Sequence, residues 1–458
     1  MLRITTLLGI GAAAAIAAGG CGDDGESASA QAPETIPQPS QAQLAAAGLE
    51  KLPLAPESKR LDIEAPIFSD PTNVTNPLFP ISDLQSTIFS GRVDGKPFHT
   101  ETTLLPETRF VEWAPGQQVE ALVSQYFAYV DGRVEEVALD YYAQADDGSV
   151  WYLGEDVFDY SEQGVVDSTE GTWLAGKEGP VEMIMPADPQ VGDVHRAENI
   201  PGIAFEEVEI KSVDETVDGP AGSVEGAMIA RELHDDGTYS DKVFAPGYGE
   251  FFSGHGTEVE AMALAVPTNA LDGPVPAELD EISVAADDAS DAVRVQDWKV
   301  AGAGARAAAD AWDAYRRGEV PPRLAKEMDR ALDALASAIG AQDQAQAGTA
   351  AIDVAQSTLD LELRYLPQQQ IDLARFELWA RQLLVDAAAG DRGGVYGDVA
   401  TLKWIRDRFA TTLDPANLTR IDAHLSVLGE SVVDADIGTA RAEAAELRQT
   451  LAGLEPTS

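Results

Sequence analysis

The sequence predicts an α+β multidomain protein, in which an antiparallel β-meander or barrel-like domain is followed by an all-α antiparallel helical bundle. In the first half, Asp-Gly pairs that begin at Asp94, Asp131, Asp147 and Asp236 separate runs of strand-forming residues. Asp-Gly supplies the positive φ angles that tight hairpin turns require, and successive hairpins close most naturally into a meander, barrel or half-barrel. After about residue 290, Ala, Leu, Arg and Gln recur at helical spacing instead.

Composition limits the number of domains and the class of partner. A chain of 458 residues is too long for one ordinary core and suggests two or three domains. With 78 acidic and 31 basic side chains, the formal net charge is -47. Such a field repels nucleic acid, so we expect no nucleic-acid partner, whereas cationic partners are compatible with it. The single cysteine excludes an intramolecular disulfide and a thiolate-clustered metal site.

The N-terminus has the form of a secretory signal. Residues 1–20 combine a basic start at Arg3, a short apolar segment and small residues. Ala18-Gly19-Gly20-Cys21 resembles a bacterial lipobox, which implies cleavage before Cys21 and acylation of its thiol and amine. Two or more acyl chains give firm anchoring, so we expect an extracytoplasmic protein attached to the bacterial cell membrane through Cys21. The alternative is an ordinary signal peptide with an incidental cysteine.

The remaining chain divides by composition. Residues 21–64, rich in Ala, Ser, Gln, Pro and Glu, are predicted to be a flexible tether, and residues 65–266 the β domain. Residues 267–290 contain Pro and Gly and then an acidic run without periodicity, so they are predicted to be an interdomain linker. Residues 291–455 are predicted to be the bundle, and we expect the two parts to fold separately.

Helix breakers divide the predicted bundle into about six or seven helices. Pro321-Pro322, Pro367, Gly390 and Asp414-Pro415 lie between the helical runs, and short connections favour antiparallel neighbours. One of the predicted apolar stripes has its residues at helical spacing: Leu324, Met328, Leu332, Leu335 and Ile339.

The centre of the β domain carries a dense aromatic and acidic pattern. Tyr141-Tyr142-Ala-Gln144 precedes the Asp147-Gly148 turn, and Val150-Trp151-Tyr152-Leu-Gly154-Glu155-Asp156 follows it. Together with Gly-Thr-Trp-Leu-Ala-Gly from Gly171 and Met-Pro-Ala-Asp-Pro from Met185, this pattern is similar to an uncharacterised domain of secreted bacterial proteins. The resemblance implies a secreted β-rich domain and carries no activity.

The best candidate site joins this central hairpin to a later polar segment. An aromatic wall beside a few converging charges is the usual make-up of a small-molecule pocket. Arg196 can pair with Glu155 or Glu198, or present a bidentate fork to a ligand carboxylate. The alternative is that the rings only pack between the sheet and covering segments. The predicted ligand-binding residues are Tyr142, Trp151, Glu155, His195, Arg196 and Glu198.

The motifs of common enzymes are missing. The sequence has no Gly-x-Ser-x-Gly elbow, no P-loop, no His-Glu-x-x-His and no Glu-x-x-His pair for a di-metal bundle. It therefore assigns no catalytic residue and no metal ligand, and it leaves any cofactor unidentified. We therefore expect a membrane-anchored lipoprotein that binds a small molecule or a protein partner through its β domain. The alternatives are an extracytoplasmic hydrolase that uses carboxylates, which leave little trace in a sequence, and a structural envelope protein.

Overall fold

The computed structural model describes residues 33–454. The predicted signal peptide, Cys21 and the first part of the predicted tether lie outside the described residues. Within the described range the predicted two-part α+β architecture is confirmed, with an antiparallel sheet followed by an all-helical region.

The described part of the predicted tether is packed against the sheet, so the expectation of flexibility is wrong for residues 33–64. Helix α1 (Gln41–Ala46) begins with a capping box formed by Ser40 and Gln43. Leu44 and Leu49 are buried in a small core with Phe205. These isolated apolar residues give a polar segment enough buried surface to hold it on the β domain.

One antiparallel sheet contains the strands of residues 86–266. They are β1 (Ser86–Val93), β2 (Lys96–Ala114), β3 (Gln117–Val130), β4 (Arg133–Gln144), β5 (Val150–Tyr160), β6 (Val166–Ser168), β7 (Trp173–Leu174), β8 (Glu182–Met185), β9 (Val194–Ile200), β10 (Ala204–Gly219), β11 (Gly222–His234), β12 (Tyr239–Ala245), β13 (Gly249–His255) and β14 (Glu258–Val266).

The sheet is a meander that does not close into a barrel. Its order is β6-β5-β4-β3-β2-β1-β14-β13-β12-β11-β10-β9, with β7 and β8 paired to β5. Asp94-Gly95 and Asp131-Gly132 have positive φ at both residues, as primed hairpin turns require. Of the predicted alternatives, the open meander is therefore the one observed.

Alternation along β2 separates the two faces of the sheet. Thr102 and Leu104 line a cavity on the inner face, whereas Glu101 contacts Arg375 of the helical region on the outer face. Neighbouring residues of a strand point to opposite faces, and paired residues of adjoining strands point to the same face. The pairing of β2 therefore also shows which residues of the adjoining strands lie on each face. The inner face therefore lines the cavity, and helices cover part of the outer face.

The helical region consists of consecutive helices that pack as pairs around two cores. Aspartate side chains cap several of them, including Asp297, Asp343 and Asp391, by accepting from backbone N–H groups of the first turn. The predicted apolar stripe from Leu324 to Ile339 is buried. The helices are α2 (Ala277–Arg294), α3 (Trp298–Tyr315), α4 (Pro322–Ala341), α5 (Gln344–Glu362), α6 (Gln368–Ala389), α7 (Arg392–Phe409), α8 (Pro415–Val433) and α9 (Ile437–Ala452). None of the helices within residues 33–454 is long and apolar enough to cross a membrane.

Much of the predicted linker is helical, so that prediction is wrong from residue 277 onwards. Helix α2 buries Leu279, Ile282, Ala286 and Ala289 in the core that it shares with the following helices. The buried face of α2 consists largely of alanine, which made its periodicity hard to recognise beside the acidic residues of the exposed face. Helix α2 also brings the described α-helices after residue 276 to eight, one more than the upper number expected.

The sheet and the helical region share buried surface. Ile88 and Leu264 of the sheet belong to the same core as Leu279 of α2. Elsewhere, the rings of Tyr129 on β3 and Trp379 on α6 stack with centroids 5.2 Å apart. Such contacts count against the expectation that the two parts fold separately, because separation would expose both surfaces to water.

Candidate functional site

A cavity of about 90 Å³ lies on the inner face of the sheet. We call it the inner cavity. Buried residues form its deep wall, whereas the half-buried Ile81, Leu104 and Glu136 mark the side that reaches solvent. Its lining residues are Phe79, Ile81, Leu84, Thr87, Phe89, Thr102, Leu104, Ser124, Tyr126, Glu136, Ala138, Asp140, Tyr142, Glu155, Ile184, Tyr248, Gly249, Glu250 and Glu260.

The charge of this lining is entirely negative. Its carboxylates come from Glu136, Asp140, Glu155, Glu250 and Glu260, and the described lining residues include no Lys, Arg or His. Taking a carboxylate out of water is costly unless a hydrogen bond or a cation compensates it. The inner cavity therefore concentrates negative potential in a partly desolvated space.

Glu260 is one of the two least exposed of these acids. Its side chain is on β14 and is only 2% exposed, and Oε1 accepts from Thr100 Oγ1 at 2.6 Å. Oε2 is buried and has no hydrogen-bond partner among the described residues. Burial raises the pKa of Glu260 above its ordinary value, although the hydrogen bond from Thr100 opposes the shift.

Aromatic rings form another part of the wall. Tyr142 on β4 stacks on Tyr152 of β5 with ring centroids 4.9 Å apart, and Phe79 meets Tyr142 edge-on at 5.1 Å. The Tyr152 hydroxyl donates to Asp140. Burial raises the pKa of both tyrosines, and nearby Asp140 and Glu155 raise it further, so the hydroxyls remain neutral donors.

Two of the predicted ligand-binding residues, Tyr142 and Glu155, line the inner cavity, and Trp151 does not. The Trp151 side chain is buried in the main core of the β domain, and its Nε1 donates to Ser149 Oγ at 2.8 Å. Trp151 therefore follows the alternative stated above, in which the ring only packs in the core of the β domain.

The other predicted residues lie on strand β9, outside the lining of the inner cavity. Arg196 pairs through Nε with Glu207 Oε2 at 3.1 Å and donates from Nη1 to Asn199. In the register of β9 and β10, Arg196 is opposite Glu207, whereas Glu198 is opposite Glu206. Because Glu206 and Glu207 are adjacent and point to opposite faces, the β-bulge between them puts Arg196 and Glu198 on opposite faces too.

His195 is also buried on this strand, with 1% of its surface exposed. Burial lowers its pKa to about 4, and the nearby Asp62 does not offset this effect. The imidazole is therefore neutral at physiological pH. It lies near Asp62 of the packed segment and does not line the inner cavity.

Several lining residues were missed by the sequence predictions. Glu136, Ala138 and Asp140 precede the predicted Tyr142 at every second position of β4, so this alternation was a signal for a shared face. Glu260 comes from β14, which pairs with β1, and its position could not be deduced without that pairing.

A second polar cluster lies between the outer face of the sheet and the helices. Glu101 on β2 contacts Arg375 Nε at 3.3 Å and Arg408 Nη1 through its other oxygen. Arg375 in turn contacts Asp360 at 2.6 Å, and both arginines lie within 3.5 Å of an oxygen of Asp372. We call this group the interdomain cluster; its residues are His99, Glu101, Asp360, Asp372, Arg375 and Arg408.

The interdomain cluster contains the only triad of potential metal ligands that converges among residues 33–454. The ligand atoms of His99, Glu101 and Asp360 lie within 4.8 Å of one another. However, the guanidinium of Arg375 contacts both carboxylates, and that of Arg408 contacts Glu101. A divalent cation would have to share these oxygens with two fixed cations, so the arrangement favours an ion-pair network.

The charges of the interdomain cluster balance when His99 is protonated. Burial by itself lowers the pKa of His99, but Glu101, Asp360 and Glu327 outweigh it and raise the pKa to about 9. Burial by itself raises the pKa of Glu101, but the guanidinium groups of Arg375 and Arg408 outweigh this effect and hold that pKa well below its ordinary value. With Asp360 and Asp372 ionised, His99, Arg375 and Arg408 balance the three carboxylates. Burial raises the pKa of both aspartates, and the nearby guanidinium groups oppose that shift.

Comparisons with known proteins add no assignment. No family model matches the chain, and no curated protein matches it significantly. The functional interpretation therefore depends on the geometry of the inner cavity and of the interdomain cluster.

Proposed function

We propose that the protein is an extracytoplasmic lipoprotein, anchored to the bacterial cell membrane through acyl chains on Cys21, whose β domain binds a small molecule in the inner cavity. The signal-like N-terminus and the lipobox resemblance support the anchoring. The resemblance of the β domain to an uncharacterised domain of secreted bacterial proteins supports the same location. The binding role is carried by one observation, a partly enclosed cavity lined by aromatic rings and converging carboxylates.

The outer face of the sheet supports this role by fixing the walls of the inner cavity. Strands β2 and β3 contribute Thr102 and Tyr126 to the cavity on one side and Glu101 and Gln125 to the helical contacts on the other. Buried, mutually satisfied polar contacts restrict the strands to one arrangement. A site whose walls are already held in position loses less conformational entropy when it binds a ligand.

A cavity-filling variant tests the proposal. Ala138 lies on the wall and is 3% exposed, so Ala138→Phe should occupy ligand space. We expect native mass spectrometry of the full-length, detergent-purified chain to detect a retained small molecule that Ala138→Phe no longer carries. Val166→Phe adds similar bulk at an exposed position of β6 and should retain the molecule. Equal ligand content in correctly folded Ala138→Phe, or none in the wild type, would contradict binding in this cavity.

A further inference from the structure

We infer that the ligand of the inner cavity is a small organic cation, a compound with an ammonium or guanidinium group on an apolar body. This inference rests on the proposed function and adds the chemical class of the ligand. It depends on the charge of the lining, on its aromatic rings and on the spacing of its carboxylates.

The buried carboxyls on the inner face call for a cationic or hydrogen-donating partner. Glu260 Oε2 lies in the wall without a hydrogen-bond partner among residues 33–454. A ligand ammonium can satisfy acceptors of this kind, whereas an anion would add repulsion.

Among the described residues, a buried ammonium that belongs to the protein lies near this wall. Lys242 Nζ is 3.2 Å from Glu232 and 3.7 Å from Glu250, and the lysine itself does not line the inner cavity. The existing pair demonstrates that this side of the sheet accepts an ammonium group between carboxylates. Glu260, in contrast, lines the cavity itself, where a ligand can reach its second carboxyl oxygen.

The aromatic wall suits the same class of ligand. Phe79, Phe89, Tyr126, Tyr142 and Tyr248 line the inner cavity together with the acids. The face of an aromatic ring attracts a cation within about 6 Å and contributes roughly 0.5 to 2 kcal/mol. Aromatic rings also supply apolar contact for the body of an organic cation, which an inorganic ion cannot use.

The spacing of the carboxylates argues against a metal ion in the inner cavity. Ca²⁺ needs several oxygen ligands at 2.3–2.6 Å, which brings the ligand atoms close to one another. Among the described residues, the converging triad of ligand atoms is on the outer face at His99, and no such triad occurs among the cavity acids. Acids that are spread around a wall fit a cation with several atoms better than a bare ion.

Binding of three probes of similar shape tests the inference. The full-length chain in a non-ionic detergent is titrated calorimetrically with tert-butylammonium, tert-butanol and pivalate, which differ mainly in charge. We expect tert-butylammonium to bind at least tenfold more tightly than tert-butanol, with an affinity that falls as salt is added, because salt screens the attraction. Pivalate should not bind.

A substitution locates the effect. Glu260→Gln keeps the shape of the side chain and should weaken tert-butylammonium binding about tenfold while it leaves tert-butanol binding unchanged. Glu258→Gln removes the same charge from the same strand outside the cavity lining and should change neither affinity. Should Glu260→Gln fail to fold by circular dichroism, Glu250→Gln at the half-buried rim replaces it in the same comparison.

The outcomes separate the two proposals. Equal or tighter binding of tert-butanol or pivalate would overturn the cationic class and leave a ligand-binding cavity in place. Binding of tert-butylammonium that Glu260→Gln and Glu250→Gln both leave unchanged would also overturn the inference. The absence of binding for all three probes, together with no retained molecule in native mass spectrometry, would overturn the proposed function itself.

Discussion

Arg408 on α7 donates a hydrogen bond to Glu101 on β2, although the two residues are 307 positions apart in the chain. Arg375 on α6 contacts the other carboxylate oxygen of Glu101. All three side chains are almost completely inaccessible to solvent. Glu101 therefore joins the sheet to two helices through charges that neither part can bury alone at low cost.

The first prediction concerns this contact. Arg408→Met should lower the free energy of unfolding by about 3 to 5 kcal/mol, because removal of one partner of a buried pair leaves an uncompensated charge. Arg406 lies on the same helix but pairs with Asp422 near the surface. Arg406→Met should therefore cost less than about 1 kcal/mol. Urea unfolding followed by circular dichroism measures both values.

The comparison of the two arginines is decisive because they share a helix and a charge. Equal losses for Arg408→Met and Arg406→Met would mean that the buried contact contributes no more than a surface ion pair. A double variant, Glu101→Gln with Arg408→Met, should recover part of the loss, since it removes both charges at once.

A second prediction concerns pH. His99 keeps its proton up to about pH 9 in the folded protein, whereas its ordinary pKa is 6.5. Between these values the folded state binds more protons than the unfolded chain, so stability falls as pH rises from 6.5 to 9, by at most about 3 kcal/mol. Burial raises the pKa of Glu327 to about 7. The folded state therefore also binds more protons at Glu327 below pH 7, and this residue adds a loss of stability as pH rises towards 7.

Unfolding of wild type and His99→Gln at pH 6.5, 7.5 and 9 isolates the contribution of this residue. The variant should be less stable at pH 6.5 and should lose less stability towards pH 9. His255→Gln, which alters an exposed histidine, should follow the wild type. Parallel curves for wild type and His99→Gln would mean that His99 is not the titrating group.

A third prediction concerns the proposed anchor. Cys21→Ser removes the only thiol that can be acylated, so the protein should lose incorporation of a labelled fatty acid and leave the membrane fraction or remain unprocessed. Ser27→Ala changes a neighbouring hydroxyl, keeps Cys21 and should behave as the wild type. Membrane association and mass that are unchanged in Cys21→Ser would argue against a lipoprotein.

Local features of the fold could be predicted from the sequence because each depends on a few neighbouring residues. The hairpin turns at Asp94-Gly95 and Asp131-Gly132 have the expected backbone conformation. The glycine of the aromatic motif also has a local structural reason. Gly154 has a φ of 132°, and a Cβ there would lie 2.4 Å from the carbonyl oxygen of Trp173. Helix α2 was missed because alanine carries little of the hydrophobic signal on which such predictions depend.

The candidate site was only partly predictable because its residues are distant in sequence. Tyr142 and Glu155 were found, since both belong to one hairpin with a recognisable pattern. Glu260 joins them only through strand pairing, and a β-bulge turns Arg196 away from Glu198. The interdomain cluster was invisible for the same reason, because no local pattern relates Glu101 to Arg408.

The last prediction is that the sheet and the helices are stable only together. A fragment of residues 33–270 would expose the outer-face residues Ile88 and Phe127 and leave Glu101 without its two guanidinium partners. We expect it to unfold at a lower urea concentration than the whole chain or to aggregate, because exposed apolar surface drives association. Addition of a fragment of residues 271–454 should restore a cooperative transition, which gel filtration and circular dichroism can follow. A 33–270 fragment that unfolds at the same midpoint as the whole chain would instead support the independent folding that the sequence led us to expect.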